Sequence, residues 1–260
     1  RYTTGVHSGR LYGNTSVIMD QLEHTIEKLR REPESRQAVM TLWDPIKDAE
    51  LYNPETRRKF NDYPCNIVSH LLIRDDKLCW TQFMRSNDAI FGTPYNWVQF
   101  LTLQNWMAAR LGVEVGHHVL ISDSFHIYEN QLEEAEKIKS FNLIHNQPFT
   151  TQDYVADVDD LLHAEHCIRT NTLQLRNYPM GNFWKQALRV LKAYVAFKTH
   201  QDDLALNYLK EDMTELFRLM LLKNFYQWRW HREPRHYVRQ NAYVEQMSAN
   251  TYLWLNAELT

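Results

Sequence analysis

Glycine is scarce in this chain, with 7 in 260 residues, well under half of the ordinary usage of about 7%. The glycines stand at positions 5, 9, 13, 92, 112, 116 and 181, so only one follows Gly116. That asymmetry points to a turn-rich first half and a helix-rich second half. Cysteine is sparse too: Cys65, Cys79 and Cys167 are odd in number and far apart, with no Cys-x-x-Cys pair. This excludes a disulfide scaffold, argues against a zinc site and fits a reducing, cytosolic location. No apolar run approaches 18 residues and the first thirty carry no signal-peptide pattern, so no membrane association is expected. A surplus of one charge is also lacking. The 29 basic and 32 acidic residues leave a net charge of -3, so any phosphate binding has to come from local arginines rather than a general basic field. An initiator methionine is missing, and Arg1 suggests a processed product or a piece of a longer protein. What is present is ample core material: 44% hydrophobic and 23% charged residues, a balance that excludes disorder and collagen-like fibres and allows one large domain or two modest ones.

Along the chain, Ile18, Leu22, Ile26 and Leu29 recur at helical spacing behind Thr15 or Ser16 as a cap, and Glu32-Pro33-Glu34-Ser35 ends that helix. Ala38–Trp43 reads as a strand and the polar stretch from Lys47 to Asp62 as a surface loop. Asn66–Ile73 and Leu78–Met84 are extended runs joined by Asp75-Asp76, a β-hairpin pattern. Phe91-Gly92-Thr93-Pro94-Tyr95-Asn96 reads as a turn, followed by an amphipathic helix from Trp97 to Leu111 with Gly112 as its C-cap. His118–Ile121 reads as a further strand and 131–139 as a charged helix. Beyond residue 150, helices are expected over 158–169, 182–199, 204–222 and 238–255.

Four segments of the first half carry reactive or phosphate-binding residue types: Ser35-Arg36; Tyr63-Pro64-Cys65-Asn66; Met84–Asp88 together with Pro94-Tyr95-Asn96; and His126-Ile127-Tyr128. Singly, each has an ordinary structural reading. A cysteine opening a strand is often core, an arginine beside a serine is usually solvated, and an asparagine after Pro-Tyr is commonly a helix cap.

Their order changes the picture. "EPESRQAVMTLWD", "YPCN", "KLCWTQFMRSNDAIFGTPYN" and "FHIYEN" together resemble the thymidylate synthase family, whose pattern is S-R-R, P-C-H, Q-R-S-x-D, L-G-x-P-F-N and H-x-Y-x-N-H in that order. The resemblance covers roughly residues 10 to 135. It implies an α+β fold, a thymidylate-synthase-like mixed sheet with flanking helices over residues 1–140. A helix-rich region over 141–260 would follow it.

By this resemblance Cys65 looks like the nucleophile, and Arg36, Arg85 and Ser86 look like ligands of a nucleotide phosphate. Asn96 looks like the reader of the pyrimidine edge, His126 and Tyr128 like the pair that holds the ribose hydroxyl, and Asp88 like the contact to the folate pterin ring. The implied activity is one-carbon transfer from 5,10-methylenetetrahydrofolate to C5 of a pyrimidine nucleotide, with dUMP the expected substrate, in a homodimer where Arg36-type residues reach the partner's site. The chemistry is coherent. Pyrimidine C5 is a poor nucleophile, and addition of a thiolate to C6 turns the ring into an enolate-like species. Nearby guanidinium groups favour the thiolate and match phosphate oxygens. An asparagine amide, with one donor and one acceptor edge, pairs with N3–H and O4 of uracil, whereas cytosine presents the opposite pattern. An aspartate at this position is what the family's deoxycytidylate hydroxymethylases resemble, so Asn96 argues for uracil.

The chain also departs from the pattern. Gln37 replaces the second arginine of S-R-R, Asn66 the histidine after the nucleophile, Met84 the glutamine before Arg85, and Asp123-Ser124 the Gly-Asp before the ribose segment. The family's first segment, which supplies a further arginine and a glutamate, would lie upstream of Arg1. These departures leave a second outcome open, a dUMP or (d)CMP hydroxymethylase that captures water after the same adduct. A third reading is a non-catalytic nucleotide- or single-stranded nucleic-acid-binding protein, carried by "FYQWRWHREPRHY" at 225–237. There aromatics alternate with Arg229, Arg232 and Arg235. The competing structural reading is that Phe225, Trp228 and Trp230 pack a helix into a bundle. His163, His166 and Cys167 fall at helical spacing without a fourth ligand, so no metal is expected.

Overall fold

The structure, a computed structural model, describes residues 21–45, 48, 63–138, 149–170 and 178–210. The expected start of the first helix at Thr15, nearly all of the 47–62 loop and everything beyond 210, including 225–237, lie outside the described residues. Two compact units divide the chain. One comprises Arg1–Ala164 with Leu175–Lys185, the other Glu165–Gln174 with Gln186–Thr260.

The first unit is built on a four-stranded sheet in the order β1-β2-β3-β4. Helix α1 (Gln21–Arg31) leads into β1 (Ala38–Thr41), which pairs antiparallel with β2 (Asn66–Arg74). A tight turn returns the chain as β3 (Lys77–Asp88). Asp75 and Asp76 both occupy the left-handed region, at φ 52° and 55°, the backbone that lets a two-residue turn follow the strand twist. Helix α2 (Gly92–Leu111) then crosses over to β4 (Glu114–His126), which runs parallel to β3. Short 3₁₀ turns at Glu129–Gln131 and Thr151–Tyr154 flank α3 (Leu132–Ile138). Helices α4 (Val158–Arg169), α5 (Asn182–Lys198) and α6 (Asp202–Lys210) follow. The first unit is thus α+β, a mixed sheet with flanking helices.

Two expectations change. Helix α2 begins at Gly92 rather than Trp97, so the segment read as a turn is its first turn and Asn96 lies inside the helix instead of capping it. Pro94 is tolerated there because first-turn N–H groups have no partner within the helix. The capping oxygens come from further back: the Asp88 carboxylate accepts from the backbone N–H of Ile90, Phe91 and Gly92 at 3.0, 3.2 and 3.3 Å. Strand β4 is also far longer than His118–Ile121, because pairing with β3 carries it through the polar Ser122–Ser124 stretch.

Period-two alternation sorts the sheet into two faces. The inward face meets α1 and α2 in one core of Leu22, Ile26, Leu29, Met40, Leu71, Trp80, Phe100 and Met107 with their neighbours. Gly112, at φ 73°, closes α2 as expected. Gly116 stands where β3 and β4 approach closely, and a Cβ there would lie 2.7 Å from Cys79 Sγ. Gln104, buried on α2, donates to the carbonyls of Leu78, Gly116 and His117 and ties the helix to that irregular stretch. Its carbonyl oxygen contacts His118 Nδ1 at 3.0 Å. Burial between Trp80 and Trp97 pushes the His118 ring down to about 4, so it is neutral at physiological pH. Two indoles anchor the stretch after residue 149. Trp106 donates to the Ala156 carbonyl at 3.1 Å, and Trp184 to that of Tyr154 at 2.7 Å.

Candidate functional site

The strand geometry gathers most of the sequence-predicted residues at one end of the sheet. Cys65 immediately precedes β2, Arg85, Ser86 and Asp88 close β3, and His126 ends β4. Asp88 is the register partner of His126, and Ser86 of Ser124. The Ala89 N–H donates to the His126 carbonyl at 2.9 Å, and the His126 and Tyr128 rings meet edge to face at 4.9 Å. Asn96 projects toward the same end from the first turns of α2, where it touches Asn66 and Asn87.

Arg85 holds the Tyr63–Cys65 segment through three hydrogen bonds. Its backbone N–H donates to the Cys65 carbonyl at 2.9 Å. Its Nε donates to the Pro64 carbonyl at 3.0 Å and its Nη2 to that of Tyr63 at 3.2 Å. The same Nη2 lies 3.8 Å from Cys65 Sγ. The Arg85 guanidinium is thus a fixed positive charge beside a half-buried thiol. Arg85 itself remains exposed on its strand.

Arg36 is placed elsewhere. β1 runs antiparallel to β2, so Ala38 pairs with Leu71. Leu71 is six residues from Cys65, roughly 20 Å along a strand. The Arg36 carbonyl contacts His70 Nε2 at 3.3 Å. Within one chain the structure therefore does not bring Arg36 to Cys65.

Asp88 has a structural duty in addition to any ligand contact, because its carboxylate pins the start of α2. Gln131 Nε2 reaches its Oδ2 at 3.5 Å, while Gln131 Oε1 is buried without a hydrogen-bond partner.

Several polar residues of the site were not singled out from sequence: Ser69, Gln82, Asn87 and Ser122. Asn87 Nδ2 donates to Ser122 Oγ at 3.1 Å, and Gln82 Nε2 to Asn66 Oδ1 at 3.2 Å. The signal was present for two of them. Alternation places Ser69 on the same face as Leu71 and Gln82 on the same face as Trp80, both facing the core, and a polar residue at an inward position needs a reason. Among the described residues, no group of three His, Cys, Asp or Glu side chains is placed to hold a metal. No helix there is long and apolar enough to cross a membrane.

Comparison with known proteins adds to this geometry. A family model described as thymidylate synthase matches residues 3–187. A deoxyuridylate hydroxymethyltransferase of Bacillus phage SP01 is 34% identical over 142 residues, 52% of this chain and 36% of that protein. A protein provisionally named thymidylate synthase from Methanothermobacter thermautotrophicus is 39% identical over 131 residues, 49% of this chain and 54% of that protein. A similarly named protein from Methanosarcina acetivorans is 34% identical over 130 residues, 50% of this chain and 56% of that protein. These alignments span between about a third and just over half of the relatives' lengths. The family match runs well past residue 135, where the sequence motifs give out, and ends close to the Lys185 limit of the first compact unit.

Proposed function

The chain belongs to the thymidylate synthase family, and from that membership we propose that it transfers a one-carbon unit to C5 of dUMP through a covalent adduct on Cys65. The observation that carries this reading is the Arg85 guanidinium 3.8 Å from Cys65 Sγ, at the sheet end that also holds Asn96 and His126. The Cys65 thiolate attacks C6 of the pyrimidine, and the displaced electron pair passes to C5 and O4. The Asn96 amide accepts from N3–H and donates to O4, where negative charge accumulates. Arg85 and Ser86 face the phosphate, and His126 with Tyr128 holds the sugar hydroxyl. The cofactor 5,10-methylenetetrahydrofolate supplies the carbon at the iminium oxidation level. Asp88 is the group that would meet its pterin ring.

A homodimer completes the phosphate site in this reading. The outward sheet face carries two rows across all four strands, Val39-His70-Thr81-Val119 and Thr41-Val68-Phe83-Ile121. Val39, Phe83, Val119 and Ile121 are all exposed. Exposed apolar side chains on a sheet face favour burial against a second copy, which gives Arg36 a route to the partner's site.

The phage relative, named for hydroxymethyl transfer, supports a second outcome in which water rather than hydride captures the transferred carbon. Both outcomes share the Cys65 adduct and separate at product analysis. Intact-mass spectrometry of the full protein with 5-fluoro-dUMP and methylenetetrahydrofolate tests the reading. A ternary covalent complex is expected in the parent and none in Cys65→Ala. A parent protein without the adduct would overturn the proposal and favour a non-catalytic nucleotide-binding role.

A further inference from the structure

An asparagine or glutamine amide has two orientations that exchange its oxygen and nitrogen, and only its neighbours decide between them. At the candidate site that decision traces back to two groups whose roles are fixed. The Trp80 indole N–H can only donate, and it lies 3.3 Å from Gln82 Oε1. The Phe83 carbonyl can only accept, and Gln82 Nε2 lies 3.4 Å from it. Together they set the Gln82 oxygen toward Trp80 and its nitrogen away.

The remaining amides follow in order. Gln82 Nε2 donates to Asn66 Oδ1 at 3.2 Å, which leaves Asn66 Nδ2 to donate to Asn96 Oδ1 at 3.4 Å. Asn96 Nδ2 donates to Asn87 Oδ1 at 3.1 Å, and Asn87 Nδ2 donates to Ser122 Oγ at 3.1 Å. The hydroxyls of Ser69, which bonds Gln82 Oε1, and of Ser122 can donate or accept, so neither sets a direction. Ser69, Gln82, Asn66 and Asn87 are all buried, so water does not repair a reversal of any of these, and the half-buried Asn96 is held between two of them. A reversed amide would face donor to donor or acceptor to acceptor, at about 1–3 kcal/mol for each unmet group.

We infer that Trp80, Gln82 and Asn66 are positioning residues, a one-way amide relay that locks Asn96 in the orientation selective for a base presenting N–H beside a carbonyl. This rests on the reading of Asn96 as the base contact and assigns the source of its selectivity. The direction is legible only because Asn66 is an amide, the residue at which this chain departs from the family's histidine.

The test is the ratio of dUMP to dCMP dissociation constants, measured on the full protein by calorimetry at pH 8. In Asn66→Asp a carboxylate cannot donate to Asn96, so the Asn96 amide reverses and the ratio moves toward dCMP by about tenfold or more. Trp80→Phe keeps an aromatic side chain but removes the fixed donor together with part of the buried ring system. It should narrow the preference in the same direction by a smaller factor, with thermal unfolding confirming that the variant is folded. Loss of stability alone does not move a ratio. Folded variants that retain the parent's ratio would overturn the relay while leaving the nucleotide reading intact. A parent protein that binds neither nucleotide would overturn that reading, and the relay with it.

Discussion

The inward face of the sheet changes character along its length. Near the Asp75–Asp76 turn it is apolar, with Leu71, Ile73, Leu78 and Trp80 against α1 and α2. Toward Cys65 the same strands bury Ser69, Gln82 and Asn66, which bond to one another, and Asn87, which is linked to them through Asn96. Burial is equal and its purpose differs. The apolar end gains stability from area removed from water. The polar end gains little net stability from its hydrogen bonds, but they fix the orientation of the amides gathered there.

That contrast can be broken at either end. Leu71→Ala, at the apolar end, should cost about 2–5 kcal/mol in chemical denaturation and leave nucleotide selectivity unchanged; a shift in selectivity would erase the division of labour. Arg85→Ala, at the polar end, should slow adduct formation by on the order of a hundredfold, matching about 2–3 kcal/mol for a lost charged hydrogen-bond donor. The readout is single-turnover mass spectrometry with 5-fluoro-dUMP.

His118 sits where the two ends meet, and its effect is smaller. Its ring is held down from 6.5 to about 4 by burial, so the unfolded chain takes up a proton at higher pH than the folded one. Stability is therefore complete above about pH 6.5 and declines as pH falls toward 4. The expected loss is about 1–2 kcal/mol after allowing for the ring's partial exposure. His118→Phe should flatten that part of the stability profile. The smallest effect belongs to the surface link between the helices, where Arg110 grips Glu23 through two bonds of 2.7 and 2.9 Å. Glu23→Gln should cost no more than about 1 kcal/mol and become silent in high salt.

Much of this fold was legible in the sequence because its signals are local. Alternation and the Asp-Asp pair mark the hairpin, and Gly112 marks the end of α2. The start of α2 was hidden because its capping oxygens sit on Asp88, four residues before Gly92, while Gly-Thr-Pro imitates a turn. Strand β4 was under-read because Ser122–Ser124 lacks apolar residues, and only pairing to β3 makes them a strand. At the site, ordered motifs pointed to Cys65, Arg85, Asn96 and His126, which the fold gathers. Arg36 could not be located from motifs, since strand direction alone carries it away from Cys65. The amide chain was hidden for a similar reason: its members come from four strands and helices, and no single segment shows more than an isolated polar residue.

The parallel β3–β4 pairing bears on the order in which this site forms. β2 and β3 need only two residues to turn, whereas β4 reaches β3 after the whole of α2 has been laid across the sheet. Chain closure over such a span is slow relative to a hairpin. In pulse-labelled hydrogen exchange, amides of Ser69–Ile73 are expected to gain protection before those of Ser122–His126. Cys65 and Arg85 would then be brought together early, and the His126–Tyr128 side of that sheet end last.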